Sequence, residues 1–257
     1  MKSKSDDFNV FKNKLKRINK VNNKIFLKYK IKQAKDIIKL ASKVFDNIIV
    51  AFSGGKDSLV ALHLSLEIIP DVPVLFNYTT VEFPETVKYV KKLQKMWGFK
   101  LYIAKPKTGF FKAVKERGWA SHENRWCCKM FKDDPAYDFL IKHDFDAEIT
   151  GTIRTESIYR RWIKPITIPK KNPPIIRIHP IYDWNPKEVW EYIKLHELPY
   201  NPLYDLGYRR IGCWACPLNG PSHYRRLEKT HPHLYRYIEN YLPRHPFFNG
   251  KTALTKE

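Results

Sequence analysis

Ile48-Ile-Val-Ala-Phe52, followed at once by Ser53-Gly-Gly-Lys-Asp-Ser58, is the stretch on which the fold turns. A continuous apolar run of this length suits a strand buried on both faces of a parallel sheet. The glycines that follow let the backbone turn sharply and approach a ligand closely. Leu59 to Ile69 reads as a helix, so the loop stands between a buried strand and a helix N-terminus, where unpaired N–H groups and the helix dipole form an anion site. Lys56 brings a mobile positive charge, and Ser53 and Ser58 bring hydroxyl donors. The string lacks the GxxxxGK[ST] spacing of a Walker A loop. Alone it also fits a plain tight turn; the strand-loop-helix setting favours phosphate.

The same alternation extends both ways. Ile31, Ala34, Ile38, Ala41 and Phe45 recur at helical spacing and predict a helix from about Phe26 to Phe45, leading into the first strand. Val72 to Asn77, Glu85 to Trp97 and Leu101 to Ala104 read as strand, helix and strand, with later strands at Ala147 to Thr150 and Ile175 to Ile178. Repeated βαβ units with right-handed crossovers imply an α/β protein with a Rossmann-like parallel sheet. Lys164 to Pro174 is rich in Pro and Lys and reads as a loop able to move over the site. Asn185-Pro186 starts a helix with Pro at its first position, Asn201-Pro-Leu-Tyr204 is a turn, Tyr224 to Tyr241 reads as helix, and Lys251 to Glu257 as a frayed tail.

Four cysteines are present, a vicinal pair Cys127 and Cys128 and a Cys213-Trp-Ala-Cys216 pair. Two close pairs of thiolates suit a tetrahedral sulfur site, which holds zinc or an iron-sulfur cluster. Zinc pairs are usually spaced by two to four residues. Neighbouring side chains diverge, which suits two irons of a 4Fe-4S cube better than one zinc. Zinc and plain buried cysteine stay as alternatives.

Lys and Arg number 47 against 26 acids, a net charge of +21 with pI near 9.7. Such an excess predicts attraction to a polyanion such as tRNA or DNA. It is uneven: residues 1–48 carry fourteen Lys and Arg against four Asp. This segment reads either as a solvated helical face or as a basic arm for nucleic acid, with Phe26 and Tyr29 interleaved for packing or stacking. The N-terminus opens polar, without the apolar region of a signal peptide, and no stretch approaches the roughly 18 apolar residues of a membrane span. A soluble cytoplasmic protein is expected, with cysteines used for metal rather than for disulfides.

Ser53-Gly-Gly-Lys-Asp-Ser58 resembles the PP-loop of N-type ATP pyrophosphatases. Further segments resemble the phosphoadenosine phosphosulfate (PAPS) reductase family: Glu82-Phe-Pro-Glu-Thr86, Gly151-Thr-Ile-Arg-Thr-Glu-Ser157 with Arg160 and Arg161, Pro180-Ile-Tyr-Asp-Trp184, Val189-Trp-Glu-Tyr-Ile193, and Leu198-Pro-Tyr-Asn-Pro-Leu-Tyr204 leading to Gly207-Tyr208. The resemblance covers residues 45–220 and implies the adenine nucleotide alpha hydrolase (PP-loop) form of the Rossmann-like sheet. It divides the chain into a basic helical extension (1–45), a nucleotide-binding domain with the cluster (46–220), and a C-terminal helix and tail (221–257). The cysteine spacing is similar to that of APS-type reductases, whose vicinal pair and later CxxC hold a 4Fe-4S cluster.

The resemblance places Ser53, Gly54, Gly55, Lys56, Asp57 and Ser58 around the phosphates of ATP, APS or PAPS, with Asp57 as a Mg2+ or positioning carboxylate. Arg154 becomes the first candidate to meet an anionic group of the substrate and to act in catalysis beside Lys56 and Asp57, with Arg160 and Arg161 second. Ordinary surface ion pairs are the alternative for these arginines. Glu82 and Glu85 are candidates for nucleotide or metal binding, although an acid at a helix N-terminus explains Glu85 as well.

Two departures from the family shape the functional expectation. Reductases attack the sulfuryl group with a cysteine in a C-terminal Glu-Cys-Gly-Leu-His tail. This chain ends in Lys251-Thr-Ala-Leu-Thr-Lys-Glu257, with all four cysteines assigned to the cluster, so the thiolate that a covalent S-sulfo intermediate requires is expected from a partner. The loop is also the ATP-cleaving form. The expected function is therefore ATP cleavage to AMP and pyrophosphate during sulfur transfer to tRNA or DNA. tRNA thiolases of this type hold their cluster by three cysteines, whereas the related DNA phosphorothioation proteins use four. The rivals are an APS or PAPS reductase served by an external thiol or sulfur-donor protein, and a non-enzymatic basic nucleic-acid binder.

Overall fold

A computed structural model describes residues 25–241 and 244–249. Most of the expected basic arm, residues 1–24, and the tail Lys251 to Glu257 lie outside the described residues.

Strands β1 (Ile48–Ala51), β2 (Val74–Asn77), β3 (Leu101–Ala104), β4 (Ala147–Thr150), β5 (Ile166–Thr167) and β6 (Ile176–Ile178) form one sheet in the order β3-β2-β1-β4-β6-β5. All neighbours are parallel except β5, which runs antiparallel at the edge. Growth from β1 goes outward to β3, then returns to β4 on the other side of β1. The C-terminal ends of β1 and β4 therefore part at a topological switch point, where open α/β sheets bind their ligands.

The helices are α1 (25–44), α2 (Lys56–Ile68), α3 (Pro84–Trp97), α4 (Phe110–Arg117), α5 (Trp126–Cys128), α6 (Asp134–Lys142), α7 (Pro186–Leu195), α8 (Pro221–Thr230), α9 (Pro232–Glu239) and α10 (Pro246–Asn249). One face of the sheet gives Ile48, Val50, Val74 and Phe76 to a core shared with α1, α2, α3 and α7. The other gives Ile49 and Leu75 to a core under α6. Alternate residues of β1 and β2 thus enter opposite cores, which is why these strands read as continuous apolar runs. The polar intruder is Glu148 on β4, buried and facing its cross-strand partner Arg177, whose Nε lies 3.5 Å from its carboxylate.

α1 turns Leu27, Ala34, Ile38 and Ala41 into the core, so its described part is a packed helix with Phe26 and Tyr29 left exposed. Its buried Lys30 ties it to α7: the ammonium donates to Glu188 at 2.8 Å and to the Asp183 carbonyl at 2.9 Å. Glu188 also completes the capping box of α7 with Asn185.

A third, aromatic-rich core joins Phe83, Phe110 and Phe131 to Trp214, Tyr224 and Tyr235. The C-terminal helices are thus built into the lobe that carries the cysteines. Two expectations need correction. Tyr224 to Tyr241 is not one helix, because Pro232 removes an N–H and forces His231 out of helical geometry, to φ −137° and ψ 63°, where α8 ends. The expected loop from Lys164 to Pro174 contains β5, since pairing with β6 satisfies backbone groups that no side-chain pattern advertises. Among the described residues no helix is long and apolar enough to cross a membrane.

Replacing Lys30 by Met removes the cation between α1 and α7 and leaves the half-buried Glu188 to its cap alone. Urea unfolding is expected to show a loss of roughly 3 kcal/mol with an unchanged m-value.

Candidate nucleotide and cysteine site

A cleft of about 900 Å³ opens at the switch point, lined by the loop after β1, the exit of β4, Glu82, Lys132, Tyr204 and the 207–212 segment. The loop is held in shape before any ligand arrives. Ser58 Oγ donates to the Gly55 carbonyl at 2.9 Å and accepts from Ser53 N–H at 3.2 Å. Tyr204 accepts from Lys56 N–H at 2.8 Å, and buried Asn201 donates to the Gly54 carbonyl at 3.2 Å and to Thr86 at 3.0 Å. Gly54 has φ +75°, and a Cβ there would lie 2.8 Å from Thr86. Lys56 is nearly buried, its ammonium on both oxygens of Asp57 at 2.8 and 2.7 Å.

The opposite wall depends on Gly151. A Cβ there would stand 2.4 Å from the Asp57 carbonyl carbon and 2.5 Å from Ser58 N, so only glycine lets the β4 exit lie against the first turn of α2. Beside it, Thr150 pairs with Thr152 at 2.9 Å and with His179 Nδ1 at 2.7 Å, while His179 Nε2 meets Thr167 at 3.0 Å. Burial, with Arg177 and Arg160 nearby, pushes the His179 pKa down to about 4, so the ring is neutral and works as a brace.

The arginines sort themselves. Arg160 lines the cleft, and Glu156 binds both Arg160 and Arg210, the latter at 3.1 Å. Burial and the charge of Arg210 push the Arg160 pKa down, so this wall carries two guanidiniums on one carboxylate and favours an anion. Arg154 is not brought to the cleft wall. Its Nε donates to the Ile163 carbonyl at 3.0 Å, and its guanidinium lies 4.5 Å over the Tyr182 ring, which turns it toward the 158–163 segment. Arg161 is exposed, and Glu85 faces His231 at 3.2 Å in the first turn of α3; neither lines the cleft.

Sequence reasoning did not single out Tyr204, Asn201, Gly151, Lys132, Arg209 or Arg210 as site residues. Arg209-Arg210 beside the Cys-Trp-Ala-Cys pair was the available signal.

The four cysteines come together next to this cleft. Cys127 and Cys128 sit on α5, one buried and one half-buried, where the chain runs into a π-turn, Lys129–Asp133. Cys213 is bridged to Glu82 through a backbone β-pair, and its sulfur lies 3.4 Å from Thr79 Oγ1. Glu82 is fixed by Thr79 N–H at 2.7 Å and Thr79 Oγ1 at 2.6 Å, and burial raises its pKa. Lys132, one turn beyond Cys128, joins the two regions. It lines the cleft, while Cys213, then Glu82, Cys128 and Cys216, hold its ammonium charged against the cost of burial. The hydrogen bond from Cys127 lowers Cys128 to about 6, with help from Lys132 and Arg125; Cys127 is raised correspondingly, and burial raises Cys216.

An aromatic shell, four soft sulfurs and one half-buried cation form a donor set compatible with an anionic metal-sulfur group. Among the described residues no three His, Cys, Asp or Glu side chains converge on a single ion position.

The model of the phosphoadenosine phosphosulfate reductase domain matches residues 47–219. The chain belongs to this family. An uncharacterized protein of Methanocaldococcus jannaschii is 36% identical over 188 residues, 72% of this chain and 45% of its own length. A second is 35% identical, over 42% of its length. The chain thus spans less than half of these two archaeal relatives. An adenosine 5'-phosphosulfate reductase of Bacillus cereus is 35% identical over 192 residues, covering 73% of this chain and 80% of the reductase.

Among solved structures, the phosphate complex of the Candida auris PAPS reductase aligns with TM-score 0.58 and 25% identity, over 71% of this chain and 88% of that one. The U34-tRNA thiolase NcsA of Methanococcus maripaludis, with its [4Fe-4S] cluster, aligns with TM-score 0.52 and 18% identity over 88% and 80%. The named family relatives are enzymes, and this member has the family's nucleotide-binding sheet.

Two outcomes follow from the walls of the cleft. Gly151→Ala pushes the β4 exit off α2, and nucleotide affinity measured by calorimetry is expected to fall at least tenfold, with a lowered melting temperature. His179 has a depressed pKa, so its contribution to stability is full above pH 6.5 and is lost as pH falls toward 4, where the unfolded chain takes up the proton first. His179→Asn is expected to flatten that acid limb by up to about 3 kcal/mol in urea titrations at pH 7, 5 and 4.

Proposed function

We propose that this PAPS reductase-family protein cleaves ATP between the α and β phosphates and transfers the adenylyl group to an oxygen of tRNA or DNA, which sulfur then replaces. The observation that carries this reading is the shared boundary of the phosphate loop and the cysteine group, with Lys132 and Glu82 between them. The acceptor oxygen bonds to the α phosphorus as pyrophosphate leaves; sulfur then takes the place of that oxygen, and AMP departs. Lys56, the α2 N-terminus and the Arg160–Arg210 pair are arranged to neutralise the phosphates. Asp57 supplies a carboxylate for Mg2+ once a phosphate draws Lys56 away.

Cys127, Cys128, Cys213 and Cys216 would hold a 4Fe-4S cluster. It would supply a redox-capable, polarisable group beside the cleft, and Lys132 would offset its negative charge. The incoming sulfur is at the sulfide level, delivered as hydrosulfide by a sulfur-donor protein, so its bond to the acceptor forms as the bond to the AMP-bearing oxygen breaks, with no change of oxidation state and the proton released to solvent. A second reading is favoured by the reductase relative of Bacillus cereus: reduction of APS or PAPS to sulfite, with the attacking thiol supplied externally, since the 257 residues contain four cysteines and all four lie in the group.

Anaerobically purified protein, offered ATP, APS and PAPS separately with tRNA or DNA and a thiol present, is expected to release pyrophosphate and AMP from ATP and no sulfite; sulfite from APS or PAPS would establish the second reading. The same preparation is expected to hold about four irons per chain and to lose them when any one cysteine becomes serine. One tight zinc and no iron would refute the cluster. Lys56→Ala is expected to weaken ATP at least tenfold while the iron content stays.

A further inference from the structure

We propose that Trp162, on the turn that leaves the cleft wall, is a stacking platform for an unpaired base of an RNA loop, flanked by basic side chains that take its phosphates. The proposal rests on the reading of nucleic acid as the acceptor and names the surface that receives it.

Among the described residues the three most exposed large hydrophobic side chains are Trp162 at 82%, Ile158 at 77% and Ile168 at 72%. Single exposed apolar residues are ordinary. Three within eleven residues, one of them an indole, concentrate exposed apolar surface in one segment. The segment is also basic: Arg160, Arg161, Lys164 and Lys170 stand against Glu156, whose carboxylate is already shared by Arg160 and Arg210, while Lys171 is taken up by Asp134 at 3.0 Å.

Its position is set by the site. Thr155, Glu156 and Arg160 line the cleft, and a tight turn follows, with Arg161 N–H on the Ile158 carbonyl at 3.2 Å and Ile163 N–H on the Arg160 carbonyl at 3.0 Å. Arg154 clamps the Ile163 carbonyl from below. Trp162 is thereby carried two residues beyond a cleft-lining arginine on a turn pinned at both ends, and its ring is left in solvent.

Charge complementarity selects the occupant. The chain's own residues 1–24 carry eight Lys and Arg against two Asp, and a second copy carries +21, so both are repelled by this surface. A polyanion is attracted. An indole with cationic neighbours binds the face of a base and its phosphate together. Duplex DNA keeps its base faces stacked inside, whereas RNA loops splay theirs out. A base bound on Trp162 would lie at the entrance of the cleft where the α phosphate is held.

The test uses the full chain and fluorescence anisotropy with three labelled probes: an RNA hairpin with an unpaired loop, a blunt RNA duplex of equal charge, and a DNA hairpin of the same sequence. Wild type is expected to prefer the RNA hairpin. Trp162→Ala is expected to weaken it about tenfold, with duplex affinity, the salt slope and ATP affinity unchanged, because stacking carries no charge. Trp162→Phe is expected to recover most of the loss. Unchanged hairpin binding in Trp162→Ala would overturn the platform while leaving the nucleic-acid reading in place. An equal loss on the DNA hairpin would overturn the assignment to RNA. Failure of wild type to bind any probe at low salt would overturn the acceptor reading and this proposal together.

Discussion

The backbone of Gly151 lies against the first turn of α2 with no room for a side chain, and the site is built around that contact. It brings the C-terminal end of β4 beside the loop that follows β1, so one anion pocket is walled by two strands far apart in sequence. Thr150, braced by neutral His179, and Ser53 and Ser58, locked to each other, face that pocket from its two sides. Each wall is rigid before a ligand arrives, which is the condition for electrostatic preorganisation. The residues that hold this geometry, Asn201, Tyr204 and Thr86, come from segments far from the loop in sequence.

The cysteine lobe meets the sheet along a narrow seam. Its own core is aromatic and separate from those of the sheet. Glu82 and Lys132 cross the seam, one paired by backbone to Cys213 and the other charged by the thiols around it. Lys132, half-buried at the cleft, keeps its charge because the negative groups beside it offset its partial desolvation. Any change of charge among the sulfurs is therefore felt at the cleft through Lys132.

The basic excess is divided among different tasks. Lys30 is buried and joins α1 to α7, and Lys56 is taken up by Asp57. Arg160 and Arg210 crowd one carboxylate in the cleft, Lys171 pairs with Asp134, and Arg161, Lys164 and Lys170 are exposed in the segment that carries Trp162. Net charge alone does not tell these uses apart, because it counts a structural cation and a free one equally.

By itself the sequence determined the parallel sheet, through strands apolar on both faces, and the tight loop after β1, whose form is local: a strand end, two glycines and a helix start within six residues. It also determined the grouping of the cysteines, since vicinal and CxxC pairs are informative by spacing alone. Tertiary structure decided which arginines line the cleft. The sequence ranks Arg154 ahead of Arg160, yet the Ile163 carbonyl and the Tyr182 ring hold Arg154 outside the cleft, whereas Arg160, paired with Glu156, lines it. It decided likewise that Lys132 joins two sites, that Tyr204 supports a loop 148 residues earlier, and that β5 forms within a proline-rich stretch. The reason is common to all of these: a side chain's direction and its desolvation depend on neighbours brought in from elsewhere in the chain, and local pattern does not encode them.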